Sequence, residues 1–237
     1  MQTDHFTKVQ AKGREVDAGL RAYLNSVYAK MSAGVLVTAL VALVVGSSPA
    51  LLELFLGGPQ RYLVILAPLA IVWFGFNPSR MKASQLMIAF FALATVYGIS
   101  FSAIAVLASA DLTFGTAVAK AFFVATAMFA GLSIFGYTTK KDLSPVRTFA
   151  VMGIWGLIAA SVVNIFFGSA LMANVISGVG IVLFSGITAW QTQAMKQMYS
   201  PSLGKEMNDR MAWAAALNLY ISFIALFQYI LHFMNQR

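Results

Sequence analysis

The chain has 237 residues, of which 59% are hydrophobic and only 10% charged, against about 25% charged in an ordinary soluble domain. That balance excludes a water-solvated fold, and the lack of cysteine excludes disulfides, thiolate catalysis and cysteine-based metal sites. The net charge of +8 lies between apolar runs rather than on one face, so it reads as membrane orientation and not as nucleic-acid binding.

Residues 1–30 hold Lys8, Lys12, Arg14, Arg21 and Lys30 and no apolar core of the signal-peptide kind. This stretch is expected to be a cytoplasmic N-terminal segment, with an interfacial amphipathic helix over Arg14 to Tyr28. Residues 31–237 then form the transmembrane domain. Crossing the hydrocarbon core takes about 20 mostly apolar residues, and charges mark where each run ends. The first span lies between Lys30 and Glu53, with Pro49 kinking or ending it and Gly57-Gly58-Pro59 as the turn. The second runs from Tyr62 to Phe76. It is short, is interrupted by Pro68, and stops before Asn77-Pro78 because a residue preceding proline disfavours helix.

The third span covers Gln85 to Ala110. The fourth covers Val118 to Tyr137, with Lys120 near its end, where a lysine can snorkel to the headgroups. The uncharged stretch from Thr148 to Met195 is too long for one helix and suits two, turning at Phe167-Gly168-Ser169-Ala170. The seventh span runs from Trp213 to Phe233. Continuous apolar runs, in place of alternation, exclude a closed barrel. Helices are then the remaining way to satisfy the backbone in lipid.

Thirteen of the sixteen basic residues fall in the N-terminal segment and in the loops after spans two, four and six. Arg61, Lys120 and Arg237 lie on the other side. This asymmetry predicts an N-terminus inside and, with seven spans, a C-terminus outside. Gly98 with Ser102, Ser169 with Ala173 and Ala212 with Ala216 are small-xxx-small pairs, expected to mark close helix packing.

Polar groups at membrane depth are the first place to seek function. All eight acids lie outside the span centres. The remaining polar set is Asn164, Asn174, Gln191, Asn218, Ser222, Gln228 and His232. Asn164 and Asn218 are expected to hydrogen-bond between helices. Serine, metallo- and aspartyl membrane proteases each need a constellation that is missing here, as does a retinal protein. No enzymatic activity, cofactor or metal is expected.

Four strings carry a family resemblance. Gly131-Leu-Ser-Ile-Phe-Gly-Tyr-Thr-Thr-Lys-Lys-Asp-Leu143 and Asn164-Ile-Phe-Phe167 are followed by Thr188-Ala-Trp-Gln-Thr-Gln193 with Lys196-Gln-Met-Tyr199. Leu217-Asn-Leu-Tyr-Ile-Ser-Phe-Ile-Ala-Leu-Phe227 comes last. Together they resemble the Bax inhibitor-1 family, including its bacterial YccA-like branch. The resemblance implies an all-α membrane fold in which six helices surround a central seventh. It implies, for several members, a pH-sensitive calcium leak resting on paired aspartates in helices six and seven, with an arginine nearby. At those positions this chain carries Gln191 and Ser222, with Arg80 at the arginine position. The resemblance also implies modulation of the membrane-bound AAA protease FtsH.

The reading is a bacterial inner-membrane protein, cytoplasmic at its N-terminus and periplasmic at its C-terminus. It modulates membrane partners such as FtsH in quality control or stress response. The alternatives are a cation leak with an altered latch and a subunit or assembly factor of a larger complex. The residues expected to form a polar pathway or latch are Arg80, Gln191, Asn218, Ser222 and Gln228.

Overall fold

The computed structural model describes the backbone of residues 2–235 and the side chains of residues 18–235. The described chain is almost entirely helical: α1 (Gln2–Gly46), α2 (Pro49–Leu56), α3 (Gln60–Phe74), α4 (Ala83–Ala110), α5 (Leu112–Thr138), α6 (Ser144–Phe167), α7 (Ala170–Met198) and, after a short 3₁₀ turn, α8 (Gly204–Asn235). The breaks follow local chemistry. Ser48 caps α2, with the Leu51 amide donating to its hydroxyl, and Pro49 occupies the first helical turn, where a missing N–H costs nothing. Gly168 ends α6 in the left-handed region at φ 62°, a conformation glycine adopts without steric cost. Ser169 then caps α7. The turn expected at 167–170 is therefore where the chain reverses.

Six helices are individually long and apolar enough to cross a membrane. The second predicted span is different in kind. α3 has 15 residues, about 22 Å of helix against a core of about 30 Å, and it is bent by 73° from α2. That it crosses follows from its neighbours. Gly34 sits against Phe90, Gly98 against Val41 and Gly46 against Ser102, while the Thr38 hydroxyl reaches the Ala94 carbonyl at 3.0 Å. The numbers climb together, so α1 and α4 run parallel. The segment between them must return across the bundle, and the bent α2–α3 pair with its following loop makes that return.

The remaining directions agree. Ring contacts pair Phe90 with Trp213, Tyr97 with Tyr220 and Phe101 with Phe227, so α8 is parallel to α4. Gly180 meets Tyr229 and Gln191 meets Ser222, so α7 is antiparallel to α8. The seven crossings therefore alternate.

α8 is the buried element, with Ala216, Leu219, Tyr220 and Leu226 all essentially inaccessible. Four helices, α1, α4, α5 and α7, pack on it directly, whereas α3 packs on α4 and α6 packs on α7. The central seventh helix is thus enclosed in two tiers and not in a single ring. Large apolar side chains that point outward, such as Phe74, Trp155 and Phe166, face hydrocarbon, where burial offers no advantage over lipid and packing geometry decides the contacts.

α1 continues without a break through Lys30, and Tyr23, Leu24 and Val27 belong to the core. Within the expected amphipathic stretch, residues 18–28 are therefore the first turns of the first membrane helix. The side chains before residue 18, and Arg237, lie outside the described residues.

Candidate polar site around the central helix

Ser222, fully buried on α8, donates its hydroxyl to the Gln191 side-chain oxygen of α7 at 2.9 Å. The sequence places these residues on different helices, and the antiparallel α7–α8 packing brings them together. Both are neutral, so the bond neither breaks nor forms by titration, and an amide oxygen and a hydroxyl carry no net charge toward a cation.

The other expected members stand apart from this bond. Asn218 and Gln228 are exposed on α8. With the half-buried Ile221 and Ala225 and the exposed His232 they form one helical stripe, at spacings of three and four residues, which is less covered than the rest of α8. Gln228 lies between two cavities of about 750 and 480 Å³ that share Tyr97, Ile104 and Ile221. The larger is also lined by Asn164, Ser177 and His232. It opens at the end of the bundle away from the basic loops and ends beside the turn of α8 that carries Ser222.

Arg80 is exposed in the loop before α4. Among the described residues, no hydrogen bond or ion pair joins it to Gln191 or Ser222. The expected interhelical role of Asn164 is corrected: its side-chain oxygen accepts from the Ser169 amide at 3.0 Å and secures the α6–α7 turn, because the tight reversal leaves that amide without a helical partner. Among the described residues, Asn218 makes no hydrogen bond to another helix.

Two polar devices were not singled out from the sequence. The first is the Thr38 hydroxyl, buried on α1. It lies 2.7 Å from the Tyr220 hydroxyl and 3.0 Å from the carbonyls of Gly34 and Ala94. It ties α1, α4 and α8 at one level. A single threonine in an apolar run gives no periodic signal, although Tyr220 stands inside the Leu217–Phe227 string that carries the resemblance. The second is Gln193, whose amide accepts from the Leu143 amide at 2.9 Å and donates to the Lys141 carbonyl at 2.8 Å. It clamps the α5–α6 loop to α7.

Nearby, the Arg147 guanidinium lies over the Trp190 ring at 4.9 Å. A Cβ on Gly136 would meet the Ala189 carbonyl oxygen at 2.1 Å, so only glycine permits that α5–α7 approach. The Gly131–Leu143 and Thr188–Gln193 strings are thus two sides of one contact.

A buried terminal helix, alternating apolar crossings and a neutral interhelical contact define a polytopic α-helical membrane protein. The family model described as Inhibitor of apoptosis-promoting Bax1 matches residues 20–237, and the chain belongs to that family. It is 34% identical to the protein RP147 of Rickettsia prowazekii over 228 residues, covering 96% of this chain and 94% of that one. It is 35% identical to YrjE of Lactococcus lactis, covering 90% of each. Its identity to a protein named Inner membrane protein YbhL in Escherichia coli is 31%, covering 93% and 94%.

Proposed function

We propose that this protein is a non-enzymatic modulator of partners in its own membrane, acting in membrane-protein quality control or stress response. A membrane-bound AAA protease such as FtsH, or another membrane complex, is the class of partner. The observation that carries this reading is the Ser222–Gln191 contact. At the seam where the family resemblance leads one to expect an ion-sensing acidic pair, the chain has a neutral hydrogen bond. The bundle then acts through the surfaces it presents. The basic N-terminal segment suits presentation to a cytoplasmic partner. The name of the Escherichia coli relative and the distribution of basic residues support an inner-membrane location, with the N-terminus in the cytoplasm and the C-terminus in the periplasm. Affinity purification of the full chain from native membranes tests the proposal: a stoichiometric membrane partner is expected, and deletion should alter that partner's substrate turnover. Recovery of the protein alone, with turnover unchanged, would count against it.

A second reading, a cation leak, is favoured by the cavity lined by Gln228 and Asn164 that reaches the central helix. In calcium-dye liposomes, Gln191→Asp/Ser222→Asp should gain a pH-dependent flux if a pathway persists behind the neutral latch. Wild-type flux above empty liposomes across about pH 6 to 8 would favour the leak over the partner role. No flux from either protein would remove the leak reading.

A further inference from the structure

α1 and α5 both pack on α8 but form no packing seam with each other. The gap between them is a lateral groove of about 860 Å³. On α1 its wall is the stripe Arg21, Asn25, Tyr28, Ser32 and Ala39. On α5 it runs from Phe122 through Ala130 to Tyr137, and Phe223 of α8 forms the floor. Eighteen residues of α1 separate the two ends, about 27 Å of helix. The groove therefore reaches from the headgroup level at the basic-loop end well into the hydrocarbon.

Its chemistry changes along that length. The inner part is apolar and opens sideways to the bilayer, so an acyl chain meets no barrier to entering it. The mouth is cationic. Arg21 is exposed there and has no ion pair among the described residues. Tyr137, on the opposite wall, lies under the Lys196 ammonium at 4.5 Å, and its carbonyl accepts from that group at 2.6 Å. Lys140 and Lys141 follow in the loop after α5. The lining described contains no carboxylate. Asp142, which follows the two lysines, accepts from the Ser144 amide at the start of α6 at 2.9 Å. Basic pockets between transmembrane helices are sites where anionic headgroups bind.

We infer that the α1–α5 groove is a binding site for an anionic phospholipid, with its phosphate at Arg21 and one acyl chain lying over Phe223. The site needs only the groove and its cationic mouth, and it stands whether or not the partner role above holds. With the proposed orientation, the site faces the inner leaflet.

Native mass spectrometry of the full chain in detergent, titrated with phosphatidylglycerol or phosphatidylcholine of identical chains, tests it. One arginine near the headgroups favours the anionic lipid roughly fivefold, so phosphatidylglycerol should be retained over phosphatidylcholine by about that factor or more. Arg21→Gln should remove most of that preference and leave phosphatidylcholine retention unchanged. Ala130→Phe, which fills the groove from an exposed position, should reduce both lipids. Arg61→Gln, at the opposite end, should change neither. Equal retention of the two lipids by the wild type would overturn the inference, as would an undiminished preference in Arg21→Gln or an equal loss in Arg61→Gln. Retention of neither lipid would also overturn it and leave a transmembrane helix of another chain as the occupant. The wild-type ratio decides even if a variant fails to fold.

Discussion

The central helix meets its neighbours in two different ways. Toward α1 and α4 the seam is closed. Gly98 lets the α1 backbone approach so closely that an added Cβ would lie 2.6 Å from the Val41 Cβ and 2.8 Å from the Thr38 carbonyl. Phe90 packs on Trp213 at a tilt and on Tyr220 edgewise, and the buried Thr38 hydroxyl finds partners on all three helices. Toward α7 the seam carries the Ser222–Gln191 bond and the approach of Gly180 and Phe184 to Tyr229, with a cavity of about 750 Å³ alongside. In a bilayer, where apolar burial does not drive helices together, close packing is the chief source of cohesion. The first seam is closed along its length, whereas the second is packed beside a cavity, and that cavity is where side chains have room to rearrange.

The sharpest way to break this contrast is to add volume on each side. Gly98→Val should destabilise the protein by about 3 kcal/mol or prevent its accumulation, because neither the Val41 side chain nor the Thr38 backbone has space to retreat. Gly178→Ala on α7, where an added Cβ meets nothing within 4 Å, should stay within about 0.5 kcal/mol of wild type. Reversible unfolding in mixed micelles measures both, and similar losses would show that the close approach at Gly98 is not what limits added volume.

Next in size is Tyr220→Phe, which takes one partner from the Thr38 hydroxyl while leaving the ring contacts in place. A loss of about 1 kcal/mol is expected, within the range for hydrogen bonds inside membrane proteins. A change near zero would show that the closed seam depends on shape alone.

A smaller effect is expected at the open seam. In a double-mutant cycle, Ser222→Ala and Gln191→Leu should show a coupling of about 0.6 kcal/mol. That coupling should be the same at pH 6 and pH 8, since neither group titrates there. Pronounced pH dependence would reveal an ionisable group acting on the latch.

The smallest effect lies outside the bundle. The amide and hydroxyl of Ser144 donate to the Asp142 carboxyl and hold it below the ordinary carboxylate range. A carboxylate whose pKa is lower in the folded state contributes stability above its unfolded pKa, near 4, and loses it as pH falls through the lowered value. Asp142→Asn should therefore be slightly less stable than wild type at pH 7, and the two should converge once the pH falls below the lowered value. A difference that persists in acid would place the effect in the side chain's shape and not its charge.

Much of the architecture is legible because each signal is local. Charges bound the apolar runs, and the Phe167–Ala170 turn is marked by glycine and a capping serine. Asn77-Pro78 lies just beyond the end of α3. The positions of Gln191 and Ser222 could be picked out from strings that resemble a family, since each string is continuous in sequence. Thr38 had no such mark, and neither did the role of Asn164, whose bond depends on how tightly the α6–α7 turn closes. The loop clamp made by Gln193 was hidden for the same reason, because its partners lie some fifty residues away.

By itself the sequence determined that the chain lives in a membrane, how many apolar runs it has and which loops are basic. Those properties depend on transfer of side chains between water and hydrocarbon, which composition along the chain already encodes. Whether the short, proline-interrupted α3 completes a crossing was decided by tertiary structure, through the parallel packing of α1 against α4. The antiparallel packing of α7 on α8 turned Ser222 toward Gln191 and left Asn218 and Gln228 exposed on α8. The packing of α1 and α5 on α8, with no seam between the two, left the groove between them. Helix direction and rotation are set by which surfaces fit at close range, and that fit exists only once helices distant in sequence are side by side.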